Sequence, residues 1–339
     1  MSGIRQAIRN GGWVLIVAAI MLGGLLAWAL APAVLKMVNR PPGDGQTLSS
    51  YEFDLSNLRL PETAVLEVAM LHRDMVPVLD APPKIVNASD VLDIAATRNR
   101  YLVSDDAIIG VAIGGEARAY PLSILHVHEI IHDTLGGVPI AITWHWPSAS
   151  PRVFDRRVNG EPRLFGITGL VAGGNQTLYV RREDGEMGGE AIISQLLGRS
   201  ITGPEMELET MPFRFTDWGT WIGEHRDTTV AAAVPALKKR YKHGDPATYY
   251  LNSDLLFETT VPDGGPAAKE PVLLLEHGQG GTLLLRAQQI GADPDLTHLA
   301  LSAAATPPRI ELASPPAHAD MRHALFHAIH ALGLDTENH

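Results

Sequence analysis

The stretch from residue 104 to 155, SDDAIIGVAIGGEARAYPLSILHVHEIIHDTLGGVPIAITWHWPSASPRVFD, most constrains what this chain can fold into. Residues 108–113 alternate and run into Gly114-Gly115, a dipeptide that supplies the positive φ a tight hairpin needs. Residues 116–120 predict the returning strand. Pro121 then opens a helix, at a position where its missing N–H is not needed. The helix is expected to carry His126, His128, Glu129 and His132 and to end at Gly136-Gly137. A third strand, 138–144, leads into the loop HWPSAS. Strands, a short polar helix and a histidine-bearing loop converge here, which is how small sites are built.

Residues 128–132 spell H-E-x-x-H. On a helix, histidines at i and i+4 share a face and bind zinc, while the glutamate acts as general base. No H-x-x-G-x-x-H continuation follows and the helix is expected to stop at Gly136, so a peptidase is disfavoured and Glu129 stays a candidate base on spelling alone. A metal site of another kind would use His128 and His145, with His126 and His132 as further ligands, for zinc or copper(II). The plainer reading leaves His128 bonded to a backbone carbonyl beneath the sheet and His145 merely exposed. Ser148 lacks a nucleophile-elbow context, which argues against a serine hydrolase. No catalytic residue, phosphate loop or dinucleotide fingerprint is identified.

At the amino end, residues 11–35 carry no charge and read as a retained membrane anchor, long enough for a hydrocarbon core of about 30 Å. Trp13 and Trp28 lie near its ends, where interfacial aromatics are favoured. The run exceeds a signal peptide's apolar core, and Pro32 sits awkwardly for cleavage. Arg5 and Arg9 nearly balance Lys36 and Arg40, and the amino terminus tips the count toward a cytoplasmic N-terminus. The expected organisation is a cytoplasmic tail over 1–10, an anchor over 11–37, a linker over 38–50 and a β-rich domain over 51–302. The domain would then lie in the periplasm or outside the cell, on the cytoplasmic membrane.

Within the domain a short strand is expected near 64–70 and a helix over 90–97. Strands follow at 152–157, 163–168 and 176–182, joined by turns at Asn159-Gly160 and Gly173-Gly174. Trp218 and Trp221 are expected on a short helix packed over the sheet. Residues 271–288 echo the strand–turn–strand scheme as a degenerate second hairpin completing the same sheet. An Ala- and Pro-rich arm over 303–316 precedes an amphipathic helix in 317–339, expected over 318–332 and capped by Gly333. Met321, Leu325, Ile329 and Leu332 form its apolar stripe, suited to a partner's groove or to the chain's own sheet, while His323, His327 and His330 form a solvated face. The fold class is α+β, mainly an antiparallel sheet or open barrel with short covering helices, plus the N-terminal transmembrane helix.

The same segments carry a family resemblance. GVAIGGEARAYPLSIL, VHEIIHDTLGGVPIAITW and VFDRR, with MVPVLDAPPKIV upstream and LFGITGL, SQLLGRSITGP and TDWGTWIGEHRDTTV downstream, resemble the prokaryotic family catalogued as domain of unknown function DUF 3179. The resemblance covers roughly residues 54–234 and extends more faintly to about 285. Arg118, Tyr120, Asp155 and Arg156 match family positions, and Arg118 and Asp155 are expected to pair and tie hairpin to strand. Where the family usually carries two loop cysteines, this chain has His145 and Ser148, and it has no cysteine at all. Thiol chemistry and disulfides are therefore excluded. The net charge of −11 argues against nucleic acid. Together these features lead to a non-catalytic binding or accessory subunit, docking on another envelope protein or membrane complex. The alternative is a zinc- or copper-dependent protein using His128, Glu129, His132 and His145.

Overall fold

In the computed structural model, residues 13–38, 41–91, 102–185, 187–243, 246–277, 281–286, 299–302, 307–312 and 320–335 are described. The chain divides into two units, residues 1–41 and 42–339. In the first, Trp13–Val38 form helix α1, whose described side chains are exposed. Among the described residues no helix is long and apolar enough to cross a membrane; in α1 the side chains described without a gap run from residue 17 to 31.

The second unit begins with β1 (Leu66–Val68), β2 (Ile85–Asn87), β3 (Ala107–Ile113), β4 (Glu116–Pro121), α2 (Leu122–His128), β5 (Ile130–Leu135), β6 (Val138–His145) and β7 (Ser150–Asp155). Two short strands, β8 (Arg157–Val158) and β9 (Glu161–Pro162), lead to β10 (Phe165–Ala172) and β11 (Asn175–Val180). Then come β12 (Ile193–Ser194), β13 (Arg199–Ser200), β14 (Arg214–Asp217), α3 (Trp218–Glu224) and β15 (Thr229–Ala231). The chain continues through α4 (Lys238–His243), α5 (Ala247–Tyr250), β16 (Pro271–His277), β17 (Gly281–Arg286), β18 (Leu299–Ser302), β19 (Arg309–Leu312), β20 (Asp320–Leu325) and α6 (Phe326–Ala331). The fold is α+β, with mostly antiparallel strands and a few short helices. The expected single sheet is instead divided. Separate sheets order as β1-β10-β11-β12-β13, β14-β3-β4-β15-β2, β5-β6-β7 and β17-β16-β20, besides the pairs β8-β9 and β18-β19. One pairing, β15 with β4, is parallel.

The β3–β4 hairpin turns on Gly114-Gly115 as expected, and Gly136-Gly137, expected to end a helix, instead turns the β5–β6 hairpin. Their tips touch: a Cβ on Gly136 would stand 2.3 Å from the Ile113 carbonyl oxygen, and its φ of +55 also favours glycine. Between the hairpins the sequence expectation fails. The helix that opens after Pro121 ends at His128, not at Gly136. Glu129 turns into the left-handed region (φ 55), its N–H capping the Leu125 carbonyl, and residues 130–135 are strand. Ile130, Ile131 and Thr134 explain this, since β-branched side chains fit a pleated surface better than a helix. Trp218 and Trp221 do lie buried on a short helix, α3, capped by the Asp217 side chain.

The carboxyl end differs most. Residues 320–325 form strand β20, paired along its whole length with β16, and only Phe326–Ala331 are helical. Met321, Leu325, Ile329 and Leu332 are all buried in the unit's own apolar clusters, so the stripe expected for a partner is core. His323 and His327 are buried too, contrary to the expected solvated face, while His330 bonds Asp335. The stripe spacing of four suits both conformations locally. Burial on both faces of β20 decides it, because a strand enclosed on both sides need not alternate. The second hairpin, β16–β17, exists, but in the separate sheet that β20 joins. Most of the expected helix over 90–97 and of the arm over 303–316 lies outside the described residues.

Candidate functional site

The two histidines of the H-E-x-x-H spelling are not on one helical face. They hold a neighbouring segment. His128 Nδ1 donates to the Pro77 carbonyl and its Nε2 meets the Tyr241 hydroxyl at 2.8 Å. His132, on β5, bonds the Leu79 carbonyl through Nδ1 at 3.0 Å, and its Nε2 accepts the Phe165 N–H at 2.8 Å. Both nitrogens of each ring are therefore committed, and neither has a lone pair to offer a metal. Burial pushes the His132 imidazole down to about 3, so it is neutral at ordinary pH. His126 stacks on Trp144, ring centroids 5.8 Å apart. Among the described residues no group of three or more histidines, aspartates or glutamates is arranged to hold a metal ion. The four histidines thus do not assemble into the expected ligand set.

Glu129 and His145 do meet. Both line a cleft of about 390 Å³ with Met70, Trp146, Gln176 and Phe257, between the β6–β7 loop and the β10–β11 hairpin. Met70, Glu129 and Trp146 also line an adjoining depression that reaches His126 and Arg240. One of the non-glycine residues with positive φ, Glu129, lines the cleft. Such residues concentrate at sites that the surroundings over-determine.

Glu129 is 4% exposed, and Gln176 Nε2 donates to its Oε2. Burial pushes the carboxyl up to about 8 against the pull of that hydrogen bond. Gln176 is 1% exposed, and its Oε1 has no hydrogen-bond partner among the described residues. A buried amide oxygen left unpaired is costly, and at a cleft wall it marks a place for a donor from outside.

His145 stands at the end of a buried hydrogen-bond network. Asn175 Oδ1 accepts the Leu196 N–H, which fixes its amide so that Nδ2 points at Ser148, Ser150 and Gln195. Gln195 Nε2 donates to the Ser150 carbonyl, and its Oε1 accepts from Asn175 Nδ2 and from Ser150 Oγ at 2.9 Å. The Ser148 hydroxyl has Ser150 Oγ at 2.9 Å, the His145 carbonyl at 3.4 Å and His145 Nδ1 at 2.7 Å in reach of its one proton. His145 Nε2 has no hydrogen-bond partner among the described residues. Burial keeps the ring neutral, down at about 3.

Burial argues against one reading of the close Ser148–His145 pair. A serine nucleophile must be reached by its substrate. Ser148 is 0% exposed and does not line the cleft.

The resemblance positions fall nearby as scaffold. Arg118 pairs with Asp133 and bonds Thr229; Tyr120 donates to the same Asp133 carboxylate at 2.7 Å. The expected Arg118–Asp155 pair does not form. Asp133 lies closer along the β4–β5 turn of chain, and Asp155 takes Arg157 at 2.9 Å. Arg156 bonds the carbonyls of Asp133 and Arg163. Sequence reasoning missed Gln176, Asn175 and Gln195. Their signal was present: amides set in apolar strands, LVAGGNQTLYV and IISQLL, where a buried polar group needs partners.

With the geometry known, comparison with other proteins yields one match. A family model described as a protein of unknown function, DUF3179, matches residues 73–292. No curated protein and no solved structure matches the chain.

Proposed function

The chain belongs to the DUF3179 family, and on that premise we propose a membrane-tethered binding subunit that lies outside the cytoplasm and carries out no chemistry of its own. The observation that carries the reading is the burial of Ser148. Its hydroxyl, 2.7 Å from the His145 imidazole, is sealed from solvent and does not line the cleft. What remains is a cleft with acceptors, which binds without reacting. The absence of charge from Trp13 to Leu35 supports the tether. Confinement to a membrane plane raises the effective concentration of the domain beside a membrane complex or envelope protein, its proposed partner.

The metal-dependent alternative is less well supported, because His128 and His132 spend both nitrogens on the fold.

Two measurements test the proposal. Full-length protein is treated with a fluorophosphonate that labels activated serines. No labelling is expected, and labelling abolished by Ser148→Ala overturns the non-catalytic reading. Protease added to intact spheroplasts is expected to remove the domain. Survival of the domain until the membrane is permeabilised overturns its placement.

A further inference from the structure

The cleft beside Glu129 has an unbalanced polar inventory. Gln176 Oε1 is buried and unpartnered. His145 Nε2 has no hydrogen-bond partner among the described residues, and it accepts in the tautomer in which Nδ1 donates to Ser148. Glu129 spends Oε2 on Gln176; its Oε1 has no hydrogen bond among the described residues and holds the proton that burial favours, which an incoming cation displaces. These three groups line one cleft; no lysine or arginine is among its described lining residues, and Arg240 lies in the adjoining depression. The walls are apolar and aromatic: Trp146, Phe257 and Met70 are half-buried, and Leu170 is buried. Unpaired acceptors, a carboxyl with no basic partner and half-buried aromatic walls are together the complement of an organic cation.

We infer that this cleft binds a primary alkylammonium group, its three N–H donors shared among the Glu129 carboxyl, Gln176 Oε1 and His145 Nε2. The number of donors decides the class. A quaternary ammonium presents none and leaves the amide oxygen unpaired. A hydroxyl presents one. A guanidinium presents five N–H donors, more than these three acceptors take up. The alkyl chain runs along Met70, Leu170 and Leu256 toward the mouth. Such a group belongs either to a free aliphatic amine or to a lysine side chain of a protein partner. The inference rests on the binding reading above, since it assumes that the cleft holds its ligand without reacting.

The test uses the full-length protein in detergent micelles, titrated with n-butylammonium and followed by calorimetry and by tryptophan fluorescence. Saturable one-to-one binding is expected, weakened about tenfold or more for trimethylbutylammonium, which lacks N–H donors. Glu129→Gln and Gln176→Met are expected to weaken it by a similar factor. Glu129→Gln keeps the shape and the hydrogen bond to Gln176, so it carries the test if the second variant does not fold. A lysine-containing peptide that binds more tightly than n-butylammonium assigns the group to a protein partner; equal affinities assign it to a free amine. Absence of saturable binding, equal binding of the trimethyl analogue, or binding of butyramide in place of the ammonium overturns the ligand class. None of these outcomes bears on Ser148 labelling, which alone decides the non-catalytic reading.

Discussion

Replacing Glu129 by glutamine should make the protein more stable at alkaline pH and leave it unchanged in acid. The carboxyl is 4% exposed, and burial lifts it from the ordinary 4.5 to about 8. In the unfolded chain it ionises near the ordinary value, so between those limits folding must carry a proton that the unfolded state has released. The sign follows: the folded pKa is raised, so stability is complete below 4.5 and declines as pH rises to about 8. At about 1.4 kcal/mol per pH decade, the whole interval comes to about 5 kcal/mol, an upper bound because buried sites relax and admit water on ionisation. Glutamine is neutral throughout and its Oε1 can still accept from Gln176 Nε2. Urea unfolding of both proteins at half-unit steps from pH 4 to 9 measures the difference directly. The variant and the native protein should agree within about 1 kcal/mol at pH 4, then diverge with a slope approaching one proton. A difference that stays constant from pH 5 to 9, or a variant less stable at pH 8, would refute the account of a protonated buried acid.

Acid should act in the opposite sense through the buried imidazoles. His132, His145 and His323 are held down at about 3 and His327 at about 4, so the stability they share is complete above 6.5 and is lost as pH falls toward those values. Unfolding at pH 5 should therefore take up protons, and His132→Gln should reduce that uptake by about one, as read from the pH dependence of the urea midpoint. Ile329→Ala should cost about 2–5 kcal/mol, because this side chain is fully buried, and removal of residues 317–339 should unfold the domain by circular dichroism, because β20 is the strand partner of β16. Asp133→Asn should cost about 3–5 kcal/mol in chemical denaturation, since it strands a buried Arg118 charge that Asp133 now neutralises.

Hairpins were the legible part of this sequence, and helix ends were not. Period-two alternation flanked by Gly114-Gly115, Gly136-Gly137 or Gly173-Gly174 located β3–β4, the start of β6 and β11 closely, because glycine pairs at positive φ leave the chain few other turns, though β10 runs four residues past its expected end. The misread helix arose at Glu129. A left-handed glutamate leaves no signature in sequence, and the i, i+4 histidines mimicked a helical face that the backbone abandons after His128. Burial decided the carboxyl end in the same way: MRHALFHAIHAL has helical spacing, yet its first half is enclosed on both faces as a strand. Of the candidate site, Glu129 and His145 were legible as chemistry-bearing residues near one loop. Their association with Gln176 was not, since it depends on how the β10–β11 hairpin meets the β6–β7 loop.

The distribution of energetic costs also distinguishes the cleft from the rest of the fold. Elsewhere the buried cations have carboxylate partners: Arg118 has Asp133, Arg152 has Asp320 and Arg73 has Glu190. The Arg152 and Arg73 pairs join segments far apart in the chain, and all three neutralise what they bury. At the cleft the costs are left standing. Glu129 buries a carboxyl with no basic partner on a left-handed backbone, an arrangement worth about 1–2 kcal/mol of strain for the backbone alone. Gln176 buries an amide oxygen with nothing to accept from, at a further cost of about 1–3 kcal/mol. Leucine at 176 and glycine at 129 would remove much of both. A fold that pairs its interior charges across the sheets, yet carries unmatched acceptors on one wall of one cleft, is arranged as a binding site whose donor comes from outside.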